Sequence, residues 1–263
     1  MRISIRSIIP FLFIYLTSTL YASAAQQTQA DAHAPIKILF VGNSYTYVND
    51  LPAVLSEMSI QARQARPIQT KTLAFSGASL ELHWKKGDIQ QALKDEHWDY
   101  VVLQEHSMLP VKNLDLMYQY ARLMDDEIKK KGAKTIFYLT WARQNNPDMQ
   151  AKLDQAYTAI AKERGALLAP VGQAWQTALA ATPRPSLFLP DGSHPSFTGS
   201  YIGASVFYSL IYGKKPPQPS AAQTKRLEKA TAATLQQAAW KAVQSLESSL
   251  RVSPTAQDMH AAN

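Results

Sequence analysis

Apolar residues along this chain come in two alternating rhythms. Short runs rich in β-branched and aromatic residues are followed by stretches where apolar positions recur every three or four residues. Ile36-Lys37-Ile38-Leu39-Phe40-Val41, ending at Gly42, predicts a buried strand. Leu51, Val54, Leu55 and Met58 then share one helical face, with Asn49 or Asp50 as cap and Pro52 in the first turn. Ile68 to Phe75 predicts a second strand, stopped by Ser76-Gly77, and residues 80–93 a helix that Gly87-Asp88 weakens. Tyr100 to Leu103 is a third strand. Met117, Tyr120, Ala121, Met124 and Ile128 keep helical spacing up to Gly132. Residues 135–140 form a fourth strand, 149–163 a helix stopped by Gly165, 166–169 a short fifth strand, and 171–180 another helix.

Phe197, Tyr201, Ala204, Tyr208 and Ile211 mark a helix with one buried stripe, broken by Lys214-Lys215-Pro216-Pro217. Residues 224–250 read as a last helical stretch. Its Leu227, Thr231, Leu235, Ala238, Ala242 and Leu246 share a face that either docks on the domain or stays solvated. Strands alternating with helices predict an α/β protein: a three-layer α/β/α sandwich around a parallel sheet of about five strands, with a C-terminal helical extension over 216–250. In such sheets ligands bind beyond the carboxyl ends of the strands. That places the informative residues at 42–47, 76–79, 104–107 and 141–143.

The first residues do not fit this alternation. Arg2 and Arg6 precede an apolar run from Ile8 to Tyr21, and Ala22-Ser23-Ala24 follows. That order is a secretory signal peptide over residues 1–24, with export to the periplasm or exterior as its consequence. The run is short of the ~20 residues that span a bilayer and contains Pro10. Residues 25–35 are small and polar and read as a flexible leader, and 251–263 as a frayed tail. With 46% hydrophobic and 18% charged residues over 263 positions, the chain is globular rather than disordered. It has no cysteine, which excludes disulfides, thiolate metal sites and a cysteine nucleophile. The net charge of +7 is spread rather than clustered, so nucleic-acid binding is not expected.

Two segments carry chemistry. Gly42-Asn43-Ser44-Tyr45 puts a serine where a strand enters a turn and helix, with its amide near a helix N-terminus that favours negative charge. On its own, Asn43-Ser44 is ordinary turn chemistry. Asp191-Gly192-Ser193-His194-Pro195 puts an acid and a histidine three residues apart on one loop. The carboxylate can take one imidazole N–H and leave the other nitrogen to accept a proton. On its own this too can be a turn beside a surface histidine. Together they place Ser44, Asp191 and His194 at the same edge of the sheet, as a hydroxyl needing an adjacent base requires.

At these residues the sequence resembles the SGNH (GDSL-like) hydrolases. ILFVGNSYTYV matches the nucleophile block, AFSGASL the glycine block, and LPDGSHPSFTG the terminal Asp-x-x-His block, over roughly residues 36–213. Asn43 stands where the family usually has aspartate. The resemblance implies a flavodoxin-like hydrolase domain over 36–215 that cleaves esters, often acetyl esters on carbohydrates, without a cofactor or a metal. It also implies Ser44 as nucleophile and first oxyanion donor, Gly77 as second donor, and Asp191 with His194 as orienting acid and base. One block departs from the family: Leu103-Gln104-Glu105-His106-Ser107 replaces Gly-x-Asn-Asp after the third strand. Gln104, whose carboxamide donates as asparagine's does, is the first choice for the missing donor, and His106 the second. In this the chain resembles a variant subgroup of these hydrolases with Gln after that strand.

Tyr45, Trp141 and Arg143 fall at the same edge as possible contacts for a small-molecule or glycan ester; Arg143 can face an anionic group, and the aromatics can stack on sugar rings. His83, His97 and His106 lack metal-ligand spacing. Two other classes compete with the esterase: a non-catalytic glycan-binding protein on the same fold, and a lipase acting on lipid acyl chains. The oligomeric state is left open.

Overall fold

The computed structural model describes residues 33–252. The expected signal peptide, most of the leader, and the tail beyond 252 lie outside the described residues. The strands are β1 (Ile36–Gly42), β2 (Ile68–Ala74), β3 (Tyr100–Leu103), β4 (Lys134–Tyr138) and β5 (Leu167–Ala169). They form one parallel sheet in the order β2-β1-β3-β4-β5. The helices are α1 (Ser44–Tyr47), α2 (Leu51–Gln61), α3 (Leu80–Lys86), α4 (Asp88–Asp95), α5 (Leu109–Lys112), α6 (Leu114–Lys130), α7 (Met149–Arg164), α8 (Val171–Leu179), α9 (Phe197–Tyr212) and α10 (Lys229–Val252).

The α/β/α sandwich follows from strands that are apolar on both sides. In β1, Ile38 and Phe40 enter one core layer, with residues of α2, α8, α9 and α10. Leu39 and Val41 enter the other, with residues of α3, α4, α6 and α7. β2 is an edge strand and is largely exposed, consistent with its IQTKTLA sequence.

The last helix is part of the core, not a solvated extension. Leu227, Leu235, Ala238, Ala239, Ala242 and Val243 are buried in the same layer as Phe40 and Phe207. Small alanines let α10 lie close on α9. The helix expected over 80–93 is two helices, because Gly87 takes the left-handed φ of +77° and ends α3. The short helices α1 and α5 have no sequence periodicity to announce them.

Candidate active site

The turn that carries Ser44 is built from β1 outward. Gly42 ends the strand against the next element: a Cβ there would lie 2.5 Å from Thr46 Oγ1 and 2.6 Å from Gln104 Oε1. Only glycine lets the turn close. Asn43 caps α1, its side-chain oxygen accepting from Tyr45 N at 3.1 Å, while its amide donates to the carbonyl of Ala78 at 2.9 Å. Asparagine suits this position because both halves of its carboxamide are used. Ser44 is thus the first residue of α1, half-buried, with its hydroxyl facing the loop before α9.

That loop closes on itself. Leu189 N donates to His194 O at 2.8 Å, Ser196 N to Leu187 O at 2.8 Å, and Phe188 and Pro195 form an antiparallel bridge. Gly192 at its tip has φ +64°, a conformation glycine adopts without strain. Asp191 Oδ1 accepts from the backbone N–H groups of Ser193 and His194, each at 2.9 Å. Its Oδ2 makes a short hydrogen bond with His194 Nδ1. The His194 bond and then the backbone donors hold the Asp191 carboxyl down at about pKa 2, so it stays ionised at any ordinary pH. His194 Nε2 lies 2.9 Å from Ser44 Oγ. Ser44, His194 and Asp191 therefore form a continuous chain, although Ser44 and His194 are 150 positions apart.

The hydroxyl opens into a cleft of about 180 Å³ lined by Asn43, Ser44, Tyr45, Ser76, Gly77, His106, Ser107, Arg143, Ser193 and His194. Gly77 borders it with φ +66°, a left-handed turn that a side chain would strain. The cleft includes His106 but not Gln104. Gln104 is fully buried behind Ser44. Its Oε1 accepts from Asn43 N at 2.9 Å and Thr46 Oγ1 at 3.0 Å, and its Nε2 donates to the Glu105 carbonyl. This corrects the first choice made from sequence: the Gln104 carboxamide is consumed in holding the turn and does not reach the cleft.

His106 is half-buried, and its Nδ1 accepts from Met108 N at 3.3 Å. That bond puts the proton of the neutral ring on Nε2. Burial first, then the nearby charges of Arg143 and Lys112, lower its pKa and keep the ring neutral.

Two of the expected substrate contacts have other partners. Trp141, 2% exposed, stacks on Trp175 at 3.9 Å and on Tyr45 at 4.5 Å, and its Nε1 donates to Ser193 O at 3.1 Å. It is a buried support for the His194 loop and does not line the cleft. Tyr45 borders the cleft, but its ring is packed against Trp141 and its hydroxyl lies 2.7 Å from Ser193 Oγ. Arg143 does line the cleft.

Sequence reasoning passed over Glu105. It is 1% exposed, and its Oε1 accepts from Leu80 N at 3.1 Å and His106 N at 2.6 Å. It thereby ties the Gly77 segment to the His106 segment. Burial raises its pKa to about 7, against those two backbone donors. The available signal was a carboxylate directly after a buried strand. His83, also buried, bonds Gly42 O at 2.8 Å through Nε2 and lies 3.2 Å from Asp88 through Nδ1. It braces β1 and α3. Among the described residues no group of three His, Cys, Asp or Glu side chains could hold a metal ion, and no helix is long and apolar enough to cross a membrane.

No protein-family model matches the sequence, and a search of curated proteins finds no match. Solved structures do match. A protein from Slackia heliotrinireducens described as an SGNH hydrolase aligns with a TM-score of 0.60 at 28% identity, over 67% of this chain and 99% of its own. The chain is an SGNH-type serine ester hydrolase. Two more distant structures share its fold. A DUF4886 family protein from Bacteroides uniformis aligns at TM-score 0.62 and 19% identity, over 80% of this chain and 95% of that one. An acetyl xylan esterase aligns at 0.56 and 12%, over 67% and 100%. In this SGNH-type chain the triad order is serine, aspartate, histidine, with the serine after β1 and the other two before α9.

Proposed function

We propose that this chain is exported and removes small acyl groups, acetyl foremost, from carbohydrate esters. The observation that carries the chemistry is the Ser44 Oγ to His194 Nε2 contact of 2.9 Å at the floor of a polar cleft. His194 takes the Ser44 proton as the oxygen attacks the ester carbonyl, and Asp191 stabilises the imidazolium that forms. The carbonyl oxygen becomes an oxyanion. The backbone amides of Ser44 and Gly77 face it, and His106 Nε2–H takes the place that asparagine has in the family. Collapse of this intermediate expels the alcohol, which receives the proton from His194. Water, deprotonated by the same histidine, then releases the acid from Ser44.

The small acyl group is supported by the cleft itself, about 180 Å³ and lined mostly by small and polar side chains, with Tyr45 as its one large ring. The carbohydrate reading draws on the fold shared with an acetyl xylan esterase and on the glycan-rich setting that export would supply. Export itself rests on the basic, apolar, small-residue order of the first 24 residues. Hydrolysis of 4-nitrophenyl esters from acetyl to decanoyl tests this reading. Turnover falling steeply beyond butyryl, and lost in Ser44→Ala, is the expected result. Preference for long chains would favour a lipase. Equal, slow rates in wild type and Ser44→Ala would leave a glycan-binding protein.

A further inference from the structure

Arg66, Arg122 and Arg164 each meet a carboxylate. Arg143 does not. Its Nε is buried and has no hydrogen-bond partner, and its Nη2 makes one long contact of 3.5 Å with Ser107 Oγ. A buried guanidinium N–H without an acceptor is costly unless something else supplies one.

Its backbone is held on both sides. Ala142 N donates to Gln150 Oε1 at 2.8 Å, and Gln144 N to Gly192 O at 2.8 Å, beside Asp191. The guanidinium is therefore carried by the same framework that fixes the triad. Its field reaches into the cleft, where it contributes to lowering the His106 pKa. The cleft lining contains no acidic side chain. Arg143 also borders the adjoining depression, whose second cation is Arg184 and which likewise contains no acid. Two cations thus mark a path leading away from Ser44.

We propose that Arg143 recognises a carboxylate on the alcohol portion of the ester, so that the preferred substrate is an acylated acidic sugar or a similar anionic hydroxy compound. A planar carboxylate fits the fork of a guanidinium with two parallel hydrogen bonds. With the small cleft at Ser44 assigned to the acyl group, the path toward Arg184 is left for the alcohol portion, and the anion belongs there. This inference rests on the ester-hydrolase reading above.

The test compares the acetate ester 3-acetoxybenzoate with its neutral isostere 3-acetoxybenzamide, using the intact protein. Wild type is expected to favour the benzoate in kcat/KM by about tenfold or more, the size of a charge-assisted hydrogen bond. Arg143→Gln should collapse that ratio toward one, and Arg143→Lys should keep part of it. A wild-type ratio near one overturns the proposal without any variant being needed, as does a ratio that survives Arg143→Gln. A preference for mono(4-nitrophenyl) succinate over its methyl ester, without one for the benzoate, would move the anion to the acyl side and also overturn it. If neither acetate ester is hydrolysed, the failure belongs to the esterase reading instead.

Discussion

The hydroxyls of Tyr45 and Ser193 lie 2.7 Å apart, so the residue after Ser44 grips the residue before His194. Behind this contact Trp141 stacks on the Tyr45 ring and donates to Ser193 O. Two distant parts of the chain are thereby locked at the distance that Ser44 and His194 need, since a displacement of about 1 Å is enough to lose much of a catalytic rate.

Tyr45→Phe keeps the stack and removes only the hydroxyl. It should cost about 1 kcal/mol of stability and lower kcat by about three- to tenfold, with KM for a small ester little changed. Trp141→Ala removes the support from both residues and should cost ~3–5 kcal/mol. Thermal melts and steady-state kinetics on the two variants check both. A Trp141→Ala protein as stable and active as wild type would remove the supporting role.

The oxyanion assignment separates two neighbours. His106→Ala should lower kcat by about 100-fold or more while leaving the fold intact, because it removes a donor facing the cleft. Gln104→Ala should instead lose ~1–3 kcal/mol of stability, because the Asn43 N–H and the Thr46 hydroxyl lose a buried acceptor. Its activity should fall together with its stability. Kinetics paired with thermal melting distinguish the two patterns. The reverse pattern would return the donor role to Gln104.

Glu105 gives a pH signature in stability. Its ordinary pKa is 4.5 and burial raises it to about 7 in the folded state. Below about pH 4.5 both folded and unfolded chains carry the proton, and folding bears no penalty. Between the two values only the folded protein keeps it. Above pH 7 the folded state must bury the charge, at a cost on the order of 3 kcal/mol. Glu105→Gln keeps an acceptor for Leu80 N and His106 N without the ionisation. Its thermal midpoint, measured relative to wild type from pH 5 to 8.5, should climb up to about pH 7 and then level off. A constant difference would show that the carboxyl is ionised throughout.

Much of this architecture is legible in the sequence because its strands are short and apolar on both faces, and its helices carry regular stripes. β1 and α9 both show this, and they bracket the chemistry. Gly42-Asn43-Ser44 and Asp191-x-x-His194 are readable for a different reason: their spacing places chemistry at the sheet edge that parallel topology selects. What escapes is set by side-chain direction. Gln104 and His106 both follow β3, and nothing in their order says that one turns back into the protein while the other turns out to the cleft. Trp141 looks like a substrate platform by position, but its stacking on Trp175 comes from a helix 34 positions later and is invisible until the chain folds. The docking of α10 depends in the same way on small residues whose partners lie on α8 and α9.

Asp191 is ionised down to about pH 2, so it does not set the acid limb of the reaction. A reaction that uses histidine as its general base gains rate as pH rises. Asp191→Asn leaves the size of the side chain unchanged but removes the charge that steadies the imidazolium, and should lower kcat by about 10³- to 10⁴-fold. A pH–rate profile of wild type and an initial-rate measurement on the variant check this. A rate flat across acid and neutral pH would argue against histidine as the base.

The central claim is that Ser44 is a nucleophile activated by His194. Intact-mass analysis after treatment with a fluorophosphonate, followed by peptide mapping, tests it most directly. One adduct per chain, located on Ser44, absent in Ser44→Ala and formed at least about 100-fold more slowly in His194→Ala, is the result the structure leads us to expect. An adduct on another residue, or labelling of Ser44→Ala at the wild-type rate, would contradict it.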